Sequence, residues 1–199
     1  MHSLEDKEWW CAAGEDKERA FVEQVLPLLG FSGEINPAKQ EDRFAPDLVV
    51  NGHLADLKSQ RTPFFKAQEL FGVDPQFAVS FNDKDYRRYA EHYPELDIYY
   101  WVVWQTTTRR IGSKERSVKP MAGVWRATFA AMRYRIEHES VRSHTFLHRL
   151  LDGPGNGKSS YMFDVRKFEF LGGSSVARDA VLWANDDELG ATDKTPATV

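Results

Sequence analysis

Residues 46–59 read PDLVVNGHLADLKS, and the Asn51-Gly52 pair at their centre constrains the chain more than any other feature. Both central positions of a type I′ turn need positive φ, and Asn-Gly is the dipeptide that tolerates this best between two strand-like runs. The flanking residues alternate as strands do. Counting outward from a two-residue loop pairs Val50 with His53, Val49 with Leu54, Leu48 with Ala55 and Asp47 with Asp56. One face of the hairpin then carries Leu48, Val50, Ala55 and Leu57. The other carries Asp47, Val49, Leu54, Asp56, Lys58 and Gln60. A slip of one residue would send the two strands' charges to opposite faces, so the turn also sets the chemistry.

Two aspartates directly opposite each other have Cβ atoms about 5 Å apart and repel, more so when buried. Such a pair persists if water screens it, if one acid keeps its proton, or if a cation bridges it. Oxygen-only ligands suit Mg²⁺ or Mn²⁺. A lysine beside that cation would position or polarise a water, which is equipment for metal-assisted hydrolysis of a phosphodiester. The competing reading is a charged face bathed in solvent. Val49 and Leu54 on the same face argue against full solvation.

The rest of the chain supplies the scaffold. Residues 15–29 have the spacing of an amphipathic helix, with Pro27 tightening its last turn and Gly30 stopping it. FSGEINPA has room for a short strand. FNDKDYRRYAEHYP (81–94) predicts a helix capped by Asn82 or Asp83 and ended by Pro94. DIYYWVVWQ (97–105) predicts a buried strand. TTTRRIGSKERSVKP reads as a basic loop, MAGVWRA as a strand, 128–151 as mostly helix, and SYMFDVRKFEFL as a final strand and turn. One domain over 1–171 with a loosely attached acidic tail over 172–199 is expected, in the α/β class.

The net charge of −4 hides an uneven distribution. Residues 1–18 carry −4 and 172–199 carry −3, whereas 109–149 hold ten Arg or Lys against three Glu. A cluster of that kind can follow a phosphate backbone, although a solvated helix face and a basic loop explain it as well. The single cysteine, Cys11, excludes an internal disulfide framework and a cysteine-based zinc site. The opening MHSLEDKEWW lacks the apolar core of a signal peptide, and the apolar run at 98–104 is too short to span a bilayer, so the expected location is cytoplasmic.

Pro46-Asp47, followed after eight residues by Asp56-Leu57-Lys58, resembles the PD-(D/E)XK nuclease superfamily, which includes restriction endonucleases and Holliday-junction resolvases. The resemblance covers roughly residues 15–105. It implies a restriction-endonuclease-like core, a central mixed β-sheet flanked by helices in the order α-β-β-β-α-β, here with a helical C-terminal extension. It implies Mg²⁺ or Mn²⁺ as cofactor and DNA as partner, and a homodimer would suit cleavage of both strands. Metal ligands would be Asp47, Asp56, the Leu57 carbonyl and a glutamate from the first helix. On a helical wheel Glu18 lies in the middle of the stripe formed by Phe21, Val22, Val25 and Leu29, which favours it over Glu15 and Glu23. Lys58 would orient the attacking water or offset developing charge, with Gln60 beside it. Arg61, Thr62, Tyr86, Arg87 and Arg88 are lesser candidates for backbone contacts.

Other motifs fail. DGPGNGKSS (152–160) has Asp152 where a phosphate-binding loop needs glycine. HESVRSH (138–144) has Arg142 where a zinc-protease motif needs histidine. YYWVVW is a core run before it is a base-stacking platform. Two alternatives to a nuclease stay open: a catalytically inactive nucleic-acid-binding module on the same fold, and a protein-interaction factor.

Overall fold

A computed structural model describes residues 16–139, 141–145 and 159–178. The first helix, α1, covers residues 16–25; its last five residues, Phe21–Val25, widen into a π-helical turn. Pro27–Leu29 then form a 3₁₀ turn that stops at Gly30, whose φ is 77°. This is the expected work of a proline near a helix end, since it removes one donor and crowds the preceding turn.

β1 (Gly33–Ile35), β2 (Leu48–Val50) and β3 (His53–Gln60) form an antiparallel meander. The turn between β2 and β3 is the expected one. Asn51 has φ 49° and Gly52 φ 83°, and Val50 pairs with His53, Val49 with Leu54 and Leu48 with Ala55. Asn51 is tied down at both ends: its N–H donates to the Ser32 carbonyl, and its Oδ1 accepts from the Ser32 N–H at 3.0 Å.

A short helix α2 (Ala67–Phe71), strand β4 (Ala78–Asn82) and helix α3 (Asp83–His92) follow. The Asn82 side chain caps α3 by accepting from the Lys84 N–H. The chain then returns as β5 (Asp97–Val103), parallel to β3. Such a parallel return needs a long crossover, which α3 helps to supply. The stretch expected to be a basic loop is a hairpin, β6 (Thr108–Ile111) and β7 (Lys114–Ser117), closed at Gly112 with φ 60°.

β8 (Ala122–Thr128) and β11 (Glu169–Gly173) complete the central sheet, whose order is β1-β2-β3-β5-β8-β11. Helix α4 spans only Phe129–His138. β9 (Ser143–Thr145) and β10 (Ser159–Asp164) join β4 in a second, three-stranded sheet. The C-terminal half is therefore strand-rich, which corrects the expected helical extension. The amphipathic period that begins at Phe129 ends near Glu139, and SYMFDVRKFEFL divides between two sheets. Of the expected tail, Gly172 and Gly173 end β11 and Ala177 is fully buried; residues 179–199, with Val181–Trp183, lie outside the described residues, as do Glu15 and Cys11.

The central sheet is covered on both faces. On one, Phe21 and Leu26 pack against Leu48, Val50, Ala55, Leu57, Tyr99 and Val124. On the other, Ile98, Tyr100, Val102 and Trp125 meet Tyr89 of α3, Phe129 and Met132 of α4, and Val79, Phe81 and Phe163 of the second sheet. Fully burying a side chain such as Phe21 contributes about 1.5–3 kcal/mol. The molecule is an α/β protein built on a mixed sheet, and no helix among the described residues is long and apolar enough to cross a membrane.

Candidate functional site

β3 is eight residues long and β2 only three. The β2 ladder ends at the Leu48–Ala55 pair, while β3 continues beside β5 as far as Gln60. From Asp56 onward one edge of β3 has therefore lost its strand partner. Asp47 stands where β2 ends, and its Oδ2 accepts the Leu57 N–H at 3.2 Å. The freed edge opens onto a cleft of about 370 Å³ lined by Leu57, Lys58, Ser59, Gln60, Ser80, Asn82, Asp85 and Ser160, with Lys17 and Glu18 of α1.

The Asp56, Lys58 and Gln60 side chains share the β3 face that carries Ile98, Tyr100 and Val102 on β5, which is the α3 side of the sheet. Asp56 is 2% exposed. Its Oδ1 accepts from the Tyr89 hydroxyl at 2.6 Å, and its Oδ2 meets Lys58 Nζ at 2.6 Å. Lys58 Nζ also contacts Asp85 Oδ2 at 2.7 Å, and Arg88 reaches the other Asp85 oxygen at 3.0 Å. The result is a compact chain of alternating charge: Asp56, Lys58, Asp85, Arg88. The buried hydroxyl of Tyr100, which pairs with Lys58 across the ladder, has no hydrogen-bond partner among the described residues.

Burial alone would push the Asp56 carboxyl up. The charge of Lys58 and the hydrogen bonds from Lys58 and Tyr89 instead hold it below the usual carboxylate range. Lys58 is correspondingly held well above its ordinary value despite burial, chiefly by Asp56. Asp47 goes the other way. Burial, then the neighbouring charges of Asp56 and Glu18, push it up to about 7, against the opposing effect of Lys39. Of the two aspartates, Asp47 is thus the one whose surroundings favour the protonated form, and Asp56 the one held ionised.

Glu18 is 9% exposed, as its place in the apolar stripe predicts, and Glu23 is exposed. Glu18 reaches Asp47 through Lys39, whose Nζ lies 2.6 Å from Glu18 Oε2 and 2.8 Å from Asp47 Oδ1. Lys39 thus fills the space between the two acids, and among the described residues no three His, Cys, Asp or Glu side chains form a group that could hold a metal ion. Gln60 lines the cleft, but its amide is spent on Ser80, donating to the carbonyl at 3.2 Å and Oγ at 3.1 Å. Arg61 and Thr62 are exposed at the end of β3. Tyr86 hydrogen-bonds Glu137 and Arg87 pairs with Asp83, both away from the acids, while Arg88 belongs to the site through Asp85 and Tyr89.

Lys39, Asp85 and Tyr89 are the site residues that sequence reasoning passed over. Lys39 sits in a 3₁₀ turn, Pro37–Gln40, too short to leave a periodic signal. Asp85 and Tyr89 did leave one: four apart on a helix, they share the face whose burial Tyr89 marks.

Comparison of the chain with protein families, with curated proteins and with solved structures finds no match in any of the three. The fold and the site define an α/β protein in which a buried aspartate, a half-buried aspartate and a half-buried lysine line an open cleft.

Proposed function

We propose that this cleft hydrolyses DNA phosphodiesters with Mg²⁺ or Mn²⁺ as cofactor, on a restriction-endonuclease-like core. The observation that carries the reading is the Asp47–Asp56 pair with Lys58 beside it, placed where β3 outruns β2. The order α1-β1-β2-β3-α2-β4-α3-β5 also supports it, since it contains, with α2 and β4 inserted, the helix and strand succession that the resemblance implies.

The donors present are hard oxygens, which suits either ion. Asp47, Asp56 and the Leu57 carbonyl would hold it, joined by Glu18 once Lys39 yields its contacts. A divalent ion bound there supplies Lewis acidity toward the phosphoryl oxygen and a water of lowered pKa. The residues do the rest. Asp47 would serve as a ligand in its ionised form, without the proton that its surroundings favour. Asp56 stays ionised, fixed by Tyr89. Lys58, charged throughout, offsets negative charge on the phosphorane-like transition state. Asp85 and Arg88 keep its ammonium aimed.

The test is a cleavage assay on linear, circular, branched and single-stranded DNA with Mg²⁺, Mn²⁺ or EDTA. Cleavage should need the metal and vanish in Asp56→Ala and Lys58→Ala; no cleavage of any form would sink the reading. One observation favours a second reading, a nucleic-acid-binding module without catalysis: Lys39 already neutralises Glu18 and Asp47. That reading predicts salt-sensitive DNA binding that neither metal nor Lys58→Ala alters.

A further inference from the structure

Nine of the ten cations between 109 and 149 lie among the described residues, and they fall into two groups. Arg116 pairs with Glu69, Arg126 with Glu169, Arg133 with Glu137 and Arg135 with Glu139. Arg109, Arg110, Lys114, Lys119 and Arg142 form no ion pair with any described residue, and all five are exposed. Three of these five lie on the β6–β7 ribbon and Lys119 just after it, whereas Arg142 stands apart, immediately before β9. Most of the unpaired charge among the described residues of this region is thus on one small element.

The ribbon continues the β5–β8 ladder. Trp104 N–H donates to the Met121 carbonyl and Val118 N–H to the Thr107 carbonyl, bridging the ladder into the hairpin. Gln105 N–H donates to the Arg61 carbonyl, so the ribbon leaves the sheet at the end where β3 leaves the cleft. Four residues per strand extend it by about 13 Å. A two-stranded ribbon has little stability of its own in water. Here Arg109 lies directly opposite Arg116, and because Glu69 meets only the Arg116 charge, Arg109 is the member of this like-charged pair left without an anion. One face carries Arg109, Ile111, Lys114 and Arg116, the other Thr108, Arg110, Glu115 and Ser117.

Cations on both faces decide what the ribbon fits. A flat anionic surface, such as a membrane, engages one face and rewards apolar tips, and the ribbon offers only Ile111. A groove has phosphates along both walls. The major groove of B-form DNA, about 12 Å wide and 8.5 Å deep, admits a two-stranded ribbon, whereas that of A-form RNA is too narrow. We propose that the β6–β7 ribbon enters the major groove of duplex DNA, with Arg109, Arg110 and Lys114 on the flanking phosphates, and so holds a duplex beside the cleft. This rests on the reading of the cleft only in taking DNA as the common partner.

The experiment compares the full chain with its Arg109→Gln/Arg110→Gln/Lys114→Gln variant. Binding to a fluorescent DNA duplex is followed in EDTA from about 50 to 200 mM salt, with an RNA duplex and phosphatidylserine vesicles alongside. Three lost phosphate contacts should lower the slope of log K against log salt by about 2–3 and weaken duplex DNA binding at least about tenfold at the lowest salt. Arg135→Gln, which removes a cation already paired, should leave the slope unchanged. An unchanged slope in the triple variant overturns the inference, as does no duplex binding by the wild type. RNA duplex or vesicle binding that equals DNA binding and falls equally in the variant overturns it too. Because EDTA removes catalysis, these outcomes are separate from the cleavage assay: a ribbon that fails here leaves metal-dependent hydrolysis standing, and a cleft that hydrolyses nothing leaves the ribbon's slope to be read.

Discussion

Asp47 gives the sharpest quantitative expectation. Its folded-state pKa is about 7 against an ordinary 3.8. Between those values the folded chain holds a proton that the unfolded chain has lost, so stability falls as pH rises, by up to about 1.4 kcal/mol per pH unit. Below about pH 4 both states are protonated, and above about pH 7 both are ionised, so the dependence is confined to that window. Across it the cost is at most about 4 kcal/mol. Asp47→Asn removes the titration while its amide stands in for the neutral carboxyl. Urea or thermal unfolding of both proteins from pH 4 to pH 9 reads the difference. Relative to the variant, the wild type should lose stability steadily up to about pH 7 and then level off. At the limit this is a Tm gap of about 10 °C for a chain of this size. On the proposed reading, in which Mg²⁺ or Mn²⁺ would take the place of that proton, either ion should stabilise the wild type more at pH 8 than at pH 5. A difference that is flat or rises between pH 4 and pH 7 would refute the argument that the surroundings of Asp47 favour its protonated form.

Other perturbations reach the same architecture. Tyr89→Phe removes a 2.6 Å hydrogen bond to an ionised carboxylate and should cost about 1.5–3 kcal/mol at neutral pH. It should also raise the Asp56 pKa, so that acid unfolding, which begins as pH falls through that value, starts at higher pH in a titration followed by circular dichroism. Phe21→Ala empties a fully buried site under α1 and should lower stability by about 3–5 kcal/mol in denaturant titration. Gly173→Ala would place a Cβ 2.3 Å from the Ala122 carbonyl oxygen, a backbone atom that cannot turn aside. A loss of about 1–3 kcal/mol is expected in the same titration, and an unchanged midpoint would show that β11 is not held against β8 as described.

What the sequence disclosed followed from local chemistry. Asn51-Gly52 favours one turn type, and that turn sets the register of the three β2–β3 pairs and, through it, the alignment of Asp56, Lys58 and Gln60 on one face, while Asp47 falls just outside the ladder. Glu18 was legible because a charge inside an apolar stripe contradicts the helix's own period. Lys39 was not, because its position depends on how a 3₁₀ turn folds back over α1, a tertiary event with no periodic trace. The β6–β7 hairpin was hidden by composition: its alternating positions are nearly all polar, so period-two patterning has no apolar half to display. β4 was lost for the opposite reason, being short and followed at once by the α3 cap. The helical reading of 128–151 ran past Glu139 because no glycine or proline marks the stop.

Since the cleft exists because β2 begins only three residues before the turn, its mouth is counted in residues. Each further pair zipped between β2 and β3 would cover about 3.3 Å of the free edge. Two added pairs would set a backbone where Asp47 now takes the Leu57 N–H, and two fewer would strip Asp47 from Asp56. Related chains could thus gain or lose this site by moving a turn, with every residue of the acid–lysine cluster unchanged. In an engineered series the position of Asn51-Gly52 is the dial that sets the aperture.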